Sequence, residues 1–130
     1  GWRQPATKEP VAARLHYAKM KGNEVFRVGV RLFVDCAERI RARNGFAPDD
    51  VSLFSPPQAN LRIIEAAAMR VNLPMDRVFV NVDRYGNPGA ASVYVALEEA
   101  VAAGRLKRGD LVLLVAFGGG FAWGAALMRW

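Results

Sequence analysis

Three short apolar runs, at residues 51–55, 78–82 and 111–117, constrain this chain more than any other feature. Each is rich in Val, Leu and Phe and lacks the polar alternation of a strand with one wet face, so each reads as a strand covered on both sides. Helical patterns separate them. The first covers 60–71 and is ended by Asn72 and Pro74. The second covers 88–103, with Asn87 as its N-cap, Pro88 in its first turn and Gly104 as its C-terminal cap. Strand–helix–strand spacing of this kind implies parallel neighbours joined by right-handed crossovers. Residues 123–130 read as a further strand. The Gly118-Gly119-Gly120 link before it is too short for a helix, so this last pair is expected to be antiparallel. The fold class is therefore α/β, with a mixed, mostly parallel sheet and helices on its faces.

Upstream, Val25, Phe26, Val28, Val30, Leu32, Phe33, Cys36, Ala37 and Ile40 recur at helical spacing across 22–42. Asn44-Gly45 is a fitting stop, because both residues tolerate positive φ. Cys36 lies on the buried stripe and reads as a small core residue rather than a nucleophile. Residues 1–15 contain two Pro and no clear period, so they read as a loop or tail before a domain at 16–130. The chain starts at Gly1 with nothing like a signal peptide, which we read as a fragment or processed product.

Composition narrows the function. Hydrophobic residues make up 52% of 130 positions, which excludes a disordered chain. Its 21 Ala account for part of that figure, and surface meant for another polypeptide is the other reading. A single Cys permits no internal disulfide and fits a reducing compartment, so a cytoplasmic protein is expected. One Cys and one His cannot furnish a usual zinc site, and no metal is expected. No apolar stretch is long enough to span a membrane. Residues 1–44 carry 10 Lys/Arg against 4 Asp/Glu, while 45–130 are balanced at 8 and 8. That basic end favours an acidic partner. No groove-reading motif accompanies it, so nucleic acid is not expected.

Three turns could carry chemistry. The run Phe117-Gly118-Gly119-Gly120-Phe121-Ala122-Trp123-Gly124 follows a strand but matches neither G-x-G-x-x-G nor a P-loop, so a phosphate cradle is not expected. Its backbone N–H groups suit either a close backbone approach or a reacting oxygen. Ser55-Pro56-Pro57-Gln58-Ala59-Asn60-Leu61-Arg62 and the segment Asp83 to Ser92 each follow a strand and open a helix, where the ligand sites of α/β sheets gather.

In order along the chain come Gly22-Asn23-Glu24-Val25-Phe26-Arg27, Pro57-Gln58-Ala59-Asn60-Leu61-Arg62-Ile63-Ile64, Asp83-Arg84-Tyr85-Gly86-Asn87 and the Phe117 to Trp130 tail. Together they resemble the C-terminal half of β-ketoacyl-acyl carrier protein synthase III. The resemblance implies a thiolase-like fold of two similar halves, working as a dimer. It implies that a separate N-terminal half bears the catalytic Cys. It also implies thioesters of coenzyme A or phosphopantetheine as substrates, with no further cofactor. Asn87 corresponds to the family's catalytic Asn, Gly119 to a glycine whose N–H joins the oxyanion hole, and Phe117 to an aromatic residue near the decarboxylation site. Asn23 and Asn60 correspond to positions that contact the coenzyme A or phosphopantetheine arm. Arg27 and Arg62 correspond to basic positions that meet the acidic acyl carrier protein.

Two departures stand beside these matches. The family motif reads Pro-His-Gln-Ala-Asn, and here Pro57 occupies the place of the catalytic His. Proline has no side-chain donor for a thioester or enolate oxygen. Asn87-Pro88-Gly89 replaces the family's Asn-Thr-Ser, which keeps the amide and changes the turn around it. With Cys36 in mid-helix and no nucleophile at hand, the chain is not expected to run the family reaction alone. Two readings follow: the C-terminal half of a condensing enzyme with impaired decarboxylation, or a non-catalytic subunit or remnant that stabilises an active partner in a homodimer or heterodimer.

Overall fold

A computed structural model describes residues 7–17 and 19–130. The elements in chain order are α1 (Lys8–Ala12), α2 (Gly22–Asn44), β1 (Leu53–Ser55), α3 (Leu61–Arg70), α4 (Val82–Tyr85), α5 (Ser92–Ala102), β2 (Leu111–Gly118) and β3 (Ala122–Arg129). Short 3-10 turns lie at Pro48–Asp50, Met75–Arg77 and Gly89–Ala91. The strand order is β1-β2-β3, with β2 at the centre. β1 runs parallel to β2 with Phe54 opposite Leu113, and β3 runs antiparallel to it with Ala126 opposite Leu114. The sheet is mixed as expected, and its antiparallel ladder is the longer one. Among the described residues no helix is long and apolar enough to cross a membrane.

Period-two alternation along β2 explains how one sheet holds helices on both faces. Leu111, Leu113 and Val115 face α2 and α3, where they pack with Val30, Phe33, Ala37, Ile63, Ile64, Ala67 and Ala68. Val112 and Leu114 face the other way, toward Ala96 and Ala100 of α5 and Leu106. The apolar run that makes β2 a two-sided buried strand is thus what lets the helices form two layers. Helix α2 ends as the sequence requires, on Gly45 at φ +71, whose N–H bonds back to the Ala42 carbonyl. Cys36 is half-buried against the larger core cluster, and burial followed by the neighbouring Asp35 carboxylate pushes its thiol pKa up.

The structure corrects four expected elements. The 78–82 strand is a single parallel bridge, Val78 to Phe54, after which the chain turns into α4. The strand expected from 51 begins at Leu53, because Val51 closes the preceding 3-10 turn on the Pro48 carbonyl. The helix expected from 88 begins at Ser92, and Asn87 is not its N-cap. The Asn87 side chain accepts the Gly89 N–H at 3.0 Å in an Asx turn, and Gly89 sits at φ +66, outside helical space. Within the expected tail, Lys8–Ala12 forms a short helix that buries no residue.

Candidate active site

A cleft of about 1700 Å³ opens at one end of the sheet. Its walls come from the turn after β1, the 86–91 segment, the β2–β3 turn and the start of α2. Asn23, Pro57, Asn60, Asn87, Phe117 and Gly119 all line it, and Arg62 lies on it as well. Arg27 does not. It lines a separate depression of about 330 Å³ with Arg31 and Arg70, and the two hollows share Phe26 and Val28. Neither Cys36 nor His16 lines the cleft.

Each site residue is placed by a local cause. Asn60 caps α3 by accepting the Arg62 N–H at 2.9 Å, so its position follows from the start of that helix. Asn87 commits its oxygen to Gly89, and its amide nitrogen has no partner among the described residues. That leaves the group able to donate to a bound oxygen. Gly119 lies in the β2–β3 turn with open space around it. Phe117 stands edge-on to Phe33, ring centroids 5.2 Å apart. It also lies so close to Gly29 that a Cβ there would sit 3.1 Å from the ring. Gly29 in the middle of α2 is therefore what admits the Phe117 ring to the cleft wall. Pro57 and Pro56 are both buried.

Two determinants escaped sequence reasoning. Gln58 is fully buried, and its side chain acts as a surrogate strand. Its Nε2 donates to the Pro56 carbonyl at 3.0 Å and the Phe79 carbonyl at 3.1 Å. Its Oε1 accepts the N–H of Asn81 at 2.9 Å and of Val82 at 3.1 Å. These bonds occupy the backbone groups that an extended 78–82 strand would have offered to β1, which is why that strand reduces to one bridge. The sequence signal was an amide directly after two prolines, a residue type that is buried only when satisfied. Ser92 was the other. Its Oγ is buried in the cleft wall without a partner among the described residues, while Ser55 Oγ donates to the Val93 carbonyl at 3.3 Å and ties the end of β1 to α5.

Behind the Asn87 turn lies a charged cluster. Glu99 on α5 accepts Asn81 Nδ2 at 2.6 Å, Arg84 at 2.9 and 3.0 Å and the Tyr85 hydroxyl at 2.8 Å. The Asn81 amide, with help from Tyr85 and Arg84, holds the Glu99 carboxyl below the usual carboxylate range despite its partial desolvation. The same bond from the other side raises the Tyr85 pKa, since the carboxylate accepts the phenolic proton and repels a phenolate. Chemically, the cleft offers amide and backbone N–H donors and an aromatic wall. Neither the chain's one thiol nor its one imidazole faces it.

Comparison with known proteins agrees with this geometry. Residues 42–130 match the family described as 3-Oxoacyl-[acyl-carrier-protein (ACP)] synthase III C terminal. The chain is 53% identical over 131 residues to the Beta-ketoacyl-[acyl-carrier-protein] synthase III of a Roseiflexus species, a match covering all of this chain and 40% of that protein. The solved synthase III of Thermus thermophilus superposes with a TM-score of 0.84 at 52% identity, over 86% of this chain and 35% of that one. The Aquifex aeolicus enzyme gives 0.87 at 47% identity, over 89% and 38%. The fold is the thiolase fold of these enzymes. The chain spans about two fifths of the length of the curated relatives it matches.

Proposed function

Because the chain belongs to the β-ketoacyl-[acyl-carrier-protein] synthase III family and corresponds to its C-terminal domain, we propose that it forms the thioester-activating half of a condensing site for fatty-acid or related acyl chains. The observation that carries this reading is the convergence of Asn23, Asn60, Asn87, Phe117 and Gly119 on one cleft. In this reading a cysteine-bearing N-terminal half takes an acyl group from acyl-CoA, and malonyl-carrier protein enters along the cleft. Asn87 and the Gly119 N–H donate to the thioester oxygen as the enolate develops. Asn23 and Asn60 contact the phosphopantetheine arm. Arg27 and Arg62 attract the acidic carrier protein, with Arg31 and Arg70 adding to the positive charge around Arg27. The assembly is a dimer.

Pro57 sets the limit of this activity. A buried pyrrolidine stands where the family has its imidazole, and loss of one oxyanion donor costs roughly 10²–10³ in rate. We therefore assign impaired decarboxylating condensation and retained acyl transfer, which needs chiefly the nucleophile and the oxyanion hole. The test is to assemble the chain with a cysteine-bearing N-terminal half and follow malonyl-thioester decarboxylation with and without Pro57→His. The expected gain is roughly 10²–10³-fold. Family-like condensation with Pro57 in place would overturn the impaired-enzyme reading. Pro57 also favours a second reading, a non-catalytic subunit that stabilises an active partner. No gain from Pro57→His in an assembled complex would support that one.

A further inference from the structure

The Asn87 side chain is a catalytic group only if its turn holds still, yet residues 83–91 are all exposed and contribute nothing to either core cluster. Apolar packing therefore does not fix this turn. Two polar anchors do. Gln58 holds its entry through the Asn81 and Val82 N–H groups. Past that point, among the described residues, every side-chain bond from 81–85 to the rest of the protein ends on one carboxylate, that of Glu99.

We propose that Glu99 is a positioning residue for Asn87: its carboxylate clamps Asn81, Arg84 and Tyr85 against α5 and so fixes the turn that presents the Asn87 amide to the cleft. The geometry supports a clamp rather than a chance surface pair. Arg84 engages both carboxylate oxygens, a fork that sets orientation as well as distance. Asn81 is buried, so its amide has lost water and depends on Glu99. Tyr85 adds a third donor. Glu99 sits one α5 turn short of the C-terminus of that helix, so the clamp transmits the position of a core-packed helix to the exposed turn. Glu99 itself does not line the cleft, which makes it a positioning group and not a reacting one.

This inference rests on the reading of Asn87 as an active donor, and the experiment separates the two. The first measurement is amide hydrogen exchange on the full chain. In Glu99→Ala, the Arg84, Tyr85, Gly86 and Gly89 amides, which bond within the turn, should exchange at least about tenfold faster while those of α3 and β2 keep their protection. Tyr85→Phe, which removes one bond of the clamp, should give a smaller effect at the same four positions. Unchanged exchange at these amides in both variants overturns the clamp. So does equal acceleration across β2 in Tyr85→Phe. The second measurement is malonyl-thioester turnover in the assembled complex carrying Pro57→His. Glu99→Ala should lower kcat about tenfold or more with KM nearly unchanged, and should cost nothing further in an Asn87→Ala background. Equal, independent losses in both backgrounds overturn the assignment to Asn87. If Asn87→Ala alone leaves turnover intact, the reading of Asn87 as a donor fails, and the exchange result still decides the clamp.

Discussion

Replacing Gln58 tests whether one side chain substitutes for a strand. In Gln58→Ala the Asn81 N–H and the Phe79 carbonyl, both on buried residues, lose their partners, and so do the Val82 N–H and the buried Pro56 carbonyl. A buried polar group left unsatisfied costs about 1–3 kcal/mol. Water entering the vacated space can satisfy some of the four, so we count two of them and expect a loss of about 2–6 kcal/mol. That is a large part of the 5–15 kcal/mol that a domain of this kind holds in total. Urea unfolding followed by far-ultraviolet circular dichroism gives the free energy directly, provided the slope is unchanged. Gln58→Glu is the informative companion. It keeps both acceptor contacts and loses both donors while burying a charge, so it should be no less costly than the alanine. A loss below about 1 kcal/mol for Gln58→Ala, with the Asn81 and Val82 amides still protected from exchange, would refute the surrogate-strand argument. It would place the stability of the 78–82 segment in its packing instead.

Five further outcomes follow from named contacts. Asn60→Ala removes the α3 cap and should cost about 1 kcal/mol of stability by urea unfolding, whereas Asn60→Asp should cost little. Gly29→Ala should hold or raise stability by up to about 1 kcal/mol, because helix propensity gains while the half-buried Phe117 ring can yield toward the open cleft. Thermal unfolding reads the first effect and the Phe117 ring resonances the second. Ser92→Ala, which removes a buried hydroxyl that has no partner among the described residues, should leave stability unchanged or raise it by up to about 1 kcal/mol in chemical denaturation. For the clamp, Glu99 has a folded pKa below its ordinary 4.5, so its stabilisation is complete above that pH and is lost as pH falls through the lowered value. Acid titration should therefore release the 81–87 turn below about pH 4.5. Tyr85, whose pKa is raised above 10.0, should titrate earlier in Glu99→Gln when followed by phenolate absorbance.

The parts of the fold legible in the sequence were those governed by periodicity and by backbone specialists. Helix α2 and its Gly45 stop, helix α3 and the antiparallel β2–β3 pair all follow from repeats of 3.6 or 2 residues and from residues that tolerate special dihedrals, whereas the Asn60 cap on α3 came from the structure. Where the reading went astray, a side chain had displaced the local preference. Residues 78–82 have strand composition, yet a backbone strand needs backbone partners, and Gln58 takes them across a separation of 21 to 24 residues. No window around 78–82 contains that information. The late start of α5 has a closer cause. Asn87 turns its side chain onto Gly89, and Gly89 at φ +66 excludes the helical path that Pro88 alone would have allowed.

The same division runs through the candidate site and bears on what Pro57 does. The motif residues that shape the turn after β1 are Gln58, through its four bonds, and Asn60, through the α3 cap. Position 57 makes none of those side-chain bonds. Its backbone carbonyl accepts the Ala59 N–H at 2.8 Å, a bond proline keeps because it lacks only the N–H. A side chain exchanged at position 57 leaves the Gln58 bonds and the Asn60 cap standing. The side-chain bonds that hold the turn are thus made by Gln58 and Asn60, and none by position 57. The separation predicts that Pro57→His and Pro57→Ala fold equally well and differ in thioester chemistry alone, and a matched pair of urea unfolding curves would show it. A destabilisation of more than about 1 kcal/mol in either variant would mean that the buried pyrrolidine also braces the turn.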